Sequence, residues 1–91
     1  MAVYVDNARL QAPHLLGGRA RWSHLSADTR EELEAFRQRL GLSPTWFQAH
    51  PYLWHYDVVE RMRLKAIALG AEEVTPAELV ERRRKADGRK P

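Results

Sequence analysis

The chain opens on Ala2-Val3-Tyr4-Val5-Asp6, a short apolar run rich in β-forming side chains. Such a run predicts a buried strand that ends at Asp6. Asn7 to Arg19 carry Pro13 and the pair Gly17-Gly18, and that composition predicts a loop. Arg21 to Leu25 suit a second strand. Trp22 and His24 would share one face of it, and Arg21, Ser23 and Leu25 the other. Leu33, Phe36 and Leu40 then recur at i, i+3 and i+7, the apolar stripe of a helix. Asp28 is its expected cap, Glu31 stands at the capping-box position, and Gly41 is the stop. Ser43-Pro44 begins a short element that suits either a helical turn or, over Thr45 to Gln48, a strand. Val59, Met62, Ala66 and Leu69 form a second helical stripe, with Asp57 as its expected cap, Glu60 at N3 and Gly70 at its end. Glu73-Val74 predicts a short strand. Thr75, Pro76 and Glu78 then open a third helix that should fray before Gly88. The order predicts one small α/β domain, a short, mostly parallel sheet packed by about three helices.

Composition narrows the class. The 91 residues fit one domain, and a chain of that size buries only one modest core. Cysteine is absent, which excludes disulfide scaffolds, thiolate metal sites and cysteine nucleophiles. No apolar run approaches the ~18 residues of a membrane span, so no membrane partner is expected. The first residues lack the basic and long apolar regions of a secretory signal, and a cytoplasmic protein is expected. The net charge of +3 is unevenly placed. Residues 82–91 hold six basic side chains against Asp87 alone, while the first 81 residues hold nine basic and eleven acidic ones. The expected organisation is therefore a slightly acidic body over 1–81 and a basic tail over 82–91. Arg82, Arg83, Arg84 and Lys85 of that tail can bind nucleic acid through its phosphates, or simply form a solvated terminus.

Five blocks in order carry a resemblance. They are Val3-Tyr4-Val5-Asp6, Trp22 to Asp28, Trp46-Phe47-Gln48, His55-Tyr56-Asp57 and Ala66 to Ala71. Together, over about Val3 to Val80, they resemble an uncharacterised bacterial and bacteriophage family, the domain-of-unknown-function family 4031. Its members often carry a second acidic residue after the first Asp, where this chain has Asn7. That departure counts against a paired-carboxylate metal site at this point. The resemblance implies no activity.

The residues themselves offer three constellations. Asp6, His24, Asp28, His55 and Asp57 lie at strand ends and helix starts, where ligands of α/β sheets bind. Asp6, His24 and His55 are the candidate catalytic groups, as acid–base pairs, Asp57 is a candidate ligand-binding group, and the imidazoles and carboxylates of the whole cluster can also bind a divalent metal. Capping alone explains Asp28 and Asp57 and is their expected main role. No His-x-His or His-Glu-x-x-His spacing supports a metal, so cofactor identity stays open. His14 and His50 have no evident partner. The second constellation is Trp46, Phe47, Tyr52, Trp54 and Tyr56, five aromatics in eleven residues. They can pack over the core, stack on a ligand, above all through Trp46 or Tyr56, or form a homodimer contact around Trp54. The third is Gly17-Gly18-Arg19-Ala20-Arg21, where Arg21 can meet an anion. No nucleophilic triad is visible. These features lead to an expected small anionic or nucleotide-like ligand and a metal-assisted or acid–base hydrolase of a phosphate-containing substrate. The alternative is a non-catalytic module that dimerises through residues 46–56 or touches nucleic acid through the tail.

Overall fold

The computed structural model describes residues 2–13 and 17–88. In chain order they form β1 (Val3–Asp6), β2 (Leu10–Pro13), β3 (Arg19–Ala27), α1 (Arg30–Leu40), a 3-10 turn (Pro44–Trp46), β4 (Phe47–Gln48), β5 (His55–Val59), α2 (Glu60–Ala68), β6 (Glu72–Val74) and α3 (Pro76–Ala86). His14 lies outside the described residues, as do Arg89 and Lys90.

The sheet runs β4-β5-β3-β1-β6, with β2 also on β3, on the same side as β1. The fold class is α/β, but the sheet is mixed rather than mostly parallel. Only β1 and β6 run parallel; every other pairing is antiparallel. The cause lies in the segment expected to be a loop. Leu10–Pro13 pairs with Arg19–Trp22, so the chain folds back on itself as a hairpin. Gly17 and Gly18 both hold positive φ in its connection, a backbone that other residues resist. The reversed β3 then lies antiparallel to β1 on one side and to β5 on the other.

Helices pack on both faces of the sheet, α1 and α2 on one and α3 on part of the other. Val3, Val5, Leu25, Tyr56 and Val58 meet Leu33, Phe36 and Leu40 of α1 and Ala66 of α2. On the opposite face Tyr4 and Val74 meet Leu79 of α3. β1 is sandwiched between these layers, which is why all four of its residues are buried. β5 shows the two-residue period: Tyr56 and Val58 are buried, while His55, Asp57 and Val59 face the other way and are partly exposed.

Both expected aspartate caps are displaced. Thr29, not Asp28, caps α1. Its Oγ1 accepts from the Glu32 N–H at 3.1 Å, while Glu32 also accepts from the Ala2 N–H at 2.8 Å. Asp28 lies just past the end of β3, its N–H donating to the Ala2 carbonyl. Asp57 does not cap α2. It pairs with His24 inside the sheet, and α2 starts after Val59 with no side-chain cap. Alternating burial at Tyr56 and Val58 stabilises the longer strand more than one cap, worth ~1 kcal/mol, stabilises an earlier helix. The third helix matches expectation: Thr75 and Glu78 form a reciprocal capping box behind Pro76. Gly41 ends α1 at φ 78°, where its N–H reaches the Arg37 and Gln38 carbonyls.

The boundary expected between 81 and 82 falls inside α3, which continues to Ala86. Arg83 is fully buried. Its guanidinium donates to the carbonyls of Ala27 (3.2 Å), Asp28 (3.1 Å) and Tyr52 (3.1 Å) and to the Asp87 carboxylate (2.8 Å). It also lies 3.7 Å over the Trp54 ring.

Candidate functional site

α3 covers β1 and part of β3 but leaves uncovered the outer face where β3 meets β5. The register sets His24 directly opposite Asp57 and Trp22 opposite Val59. Asp6 ends β1 beside β3. Alternation then puts Trp22, His24, His55 and Asp57 on one face.

Asp6 and His24 form a tight pair. Asp6 is 1% exposed, and its Oδ2 lies 2.7 Å from His24 Nδ1. Its Oδ1 accepts the backbone N–H groups of His24 (3.0 Å) and Ala8 (3.2 Å). Burial pushes the Asp6 carboxyl up, but these hydrogen bonds and the nearby imidazole outweigh it and hold the acid below its ordinary value. The same contact, against the opposing effect of burial, raises His24 above the ordinary histidine value, with Coulomb help from Asp6 and Asp57. An ionised Asp6 can only accept, so the His24 Nδ1 carries the proton and Nε2 is the open nitrogen.

His55 is held in the same way. Its Nδ1 lies 2.7 Å from the Leu53 carbonyl, which also can only accept. Nε2 is left facing Asp57 Oδ1 at 3.2 Å. The His24 and His55 rings meet edge to face with centroids 4.8 Å apart, and exposed His50 stacks on His55 at 5.9 Å. Among the described residues, His24, His55 and Asp57 each bring one ligating atom within 4.8 Å of the others.

Two hollows flank this cluster. One, of about 150 Å³, lies between Asp6, His24, His55 and Leu79 of α3. The larger, of about 450 Å³, is walled by Leu10, Trp22 and Trp46, with Gln48, His24 and Asp57 on its polar side. Trp22 and Trp46 stack with centroids 5.6 Å apart and rings inclined by 29°.

The structure thus brings together Asp6, His24, His55, Asp57 and Trp46 of the expected site residues. It separates Tyr56 and Arg21, which lie on the opposite face of their strands. Tyr56 is 3% exposed; its ring packs on Phe47 and its hydroxyl donates to Glu34 at 3.4 Å. Arg21 is exposed on the side of Ser23, away from Trp22. Asp28 accepts from the Tyr4 hydroxyl at 3.3 Å, outside the cluster. Trp22 and Gln48 belong to the pocket but were not among the expected residues. Trp22 was detectable, because it alternates in phase with His24. Gln48 had no signal, since β4 is two residues long. The basic run is equally divided. Arg83 is buried and is removed from any nucleic-acid contact. Arg82 pairs with Glu72 at 2.7 Å, Arg84 pairs with Glu81, and Lys85 is 72% exposed. No helix among the described residues is long and apolar enough to cross a membrane.

A family model described as "Protein of unknown function (DUF4031)" matches residues 3–86, and the chain belongs to that family. No curated protein and no solved structure matches the chain.

Proposed function

We propose that this chain, as a member of the domain-of-unknown-function 4031 family, binds a small nucleotide-like anion and hydrolyses a phosphate ester within it. The observation that supports this reading is the joining of an aromatic wall to an imidazole–carboxylate cluster in one pocket of about 450 Å³. That volume is ordinary for a small-molecule site. A planar base has indole faces to stack on, and the Gln48 amide offers it a donor and an acceptor. Its phosphate would then lie toward His24, His55 and Asp57. In hydrolysis a water oxygen forms a new bond to phosphorus and the ester P–O bond breaks. The water loses a proton at the cluster, and the departing oxygen gains one. The alternative of a dimer contact around Trp54 draws less support, since Trp54 is 8% exposed beneath Arg83.

Tryptophan fluorescence tests the reading. Adenosine monophosphate should quench emission saturably, and ribose 5-phosphate, which lacks the ring, should bind about tenfold more weakly. Trp46→Ala should weaken the nucleotide by about the same factor. No saturable quenching at millimolar nucleotide, or equal binding of both phosphates, would remove this function.

A further inference from the structure

A carboxylate and an imidazole nitrogen face each other at 3.2 Å between Asp57 and His55. The His55 Nδ1 is committed to the Leu53 carbonyl, so the Nε2 of a neutral ring carries the lone pair and lies close to Asp57. A carboxylate oxygen and an unprotonated nitrogen at that distance repel unless a proton or a metal ion lies between them. His24 repeats the arrangement from the neighbouring strand: its Nδ1 is committed to Asp6 and its Nε2 is open. Histidines that bind metals are held in this manner, donating the far N–H to a carboxylate or a backbone carbonyl.

We infer that His24, His55 and Asp57 form a site for one divalent cation of the zinc type, with Asp6 and the Leu53 carbonyl as the groups that orient the two imidazoles. Two nitrogens and one oxygen favour a transition cation over magnesium or calcium, which prefer all-oxygen shells. Three protein ligands leave coordination positions open toward the pocket. A tetrahedral ion holds its ligands about 3.4 Å apart, so the present spread of up to 4.8 Å closes by roughly 1.4 Å on binding. Asp57, one-third exposed at the pocket wall, has room for that movement. The cation also resolves an electrostatic conflict, and this clause rests on the proposed function: a substrate phosphate beside Asp57 needs positive charge between the two anions. A zinc ion there would lower the pKa of a bound water toward 7, so the water's proton passes to solvent and the imidazoles remain ligands.

The full chain, stripped with a chelator and then dialysed free of it, is titrated with zinc by calorimetry and with cobalt by visible absorption. One equivalent should bind, and magnesium should not compete. His55→Gln and Asp57→Asn should each lower zinc affinity about 100-fold with an unchanged circular dichroism spectrum. Asp6→Asn, a positioning change, should lower it about 10- to 100-fold and shift the cobalt spectrum. No uptake by the folded wild-type chain at about 1 mM zinc, or equal uptake by wild type, His55→Gln and Asp57→Asn, overturns the site. Nucleotide quenching repeated on the metal-free chain separates the two readings. Zinc bound without nucleotide binding removes the proposed function alone, and nucleotide bound without zinc removes the cation site alone.

Discussion

Replacing Arg83 by methionine should remove a large part of the stability of this domain. Methionine keeps much of the apolar stem but deletes the guanidinium. Three carbonyls, of Ala27, Asp28 and Tyr52, then lose a charged donor, Asp87 loses its partner, and Trp54 loses the cation stacked on it. A hydrogen bond to a charged group contributes about 1.5–3 kcal/mol, and such contributions overlap within one network. Removing one partner from a buried ion pair costs about 3–5 kcal/mol. The Asp87 side chain is 31% exposed and recovers water, so the carbonyls carry most of the cost. We expect a loss of about 3–5 kcal/mol, against roughly 5–13 kcal/mol for the whole stability of a chain this long. Urea unfolding at neutral pH measures it, and the melting temperature should fall by more than about 12 °C. Arg83→Lys, which keeps charge but not the planar fork, should fall between wild type and Arg83→Met. Lys85→Ala, two residues away and 72% exposed, should leave the melting temperature within about 3 °C. An Arg83→Met loss below about 1 kcal/mol would refute the view that this guanidinium ties α3 to the start of α1 and the 52–54 segment.

Two further outcomes follow from local structure. Burial, reinforced by the Asp28 charge, pushes the Tyr4 hydroxyl up to about 12 from 10.0. The unfolded chain therefore releases this proton first. The resulting stability is whole below pH 10 and is lost as the pH rises from 10 to 12, by about 2–3 kcal/mol. Urea midpoints should fall across that window in wild type and fall less steeply in Tyr4→Phe; parallel curves would contradict the assignment. Thr29→Ala should cost about 1 kcal/mol by the same method, because it removes the α1 cap that was expected at Asp28.

The helices were legible where the signal is local. Leu33, Phe36 and Leu40 point inward as their spacing requires, and Thr75-Pro76 with Glu78 caps as its chemistry requires. What depends on partners distant in sequence was not legible. Leu10–Pro13 contains a proline and one polar residue, Gln11, without alternation, and becomes a strand only because β3 offers it hydrogen bonds. Asp57 has the local pattern of a cap, and pairing with His24 made it a strand residue instead. Arg82, Arg83 and Arg84 are the same residue type in a row. Only the helical step from Leu79 to Arg83, which sets both on the inner face of α3, separates the buried one. The convergence of Asp6, His24 and His55 was expected from the strand end at Asp6 and from the place of both histidines just upstream of presumed helix starts, whereas the strand that carries His55 was not expected. The exclusion of Tyr56 follows from period-two alternation, which sets it opposite His55 and Asp57 once β5 is known to be a strand.

The two indoles of the pocket have different mechanical origins. Trp22 rises from the longest strand, hydrogen-bonded on both sides to β2 and β5, and shares that rigid bed with His24 and Asp57. Trp46 sits on a single turn of 3-10 helix between α1 and a two-residue strand. One side of the hollow is thus part of the chassis and the other is a detachable panel. Exchanging residues 43–46 for another segment of equal length would reshape what the hollow admits while keeping the β4–β5 pairing that holds His55 in the sheet.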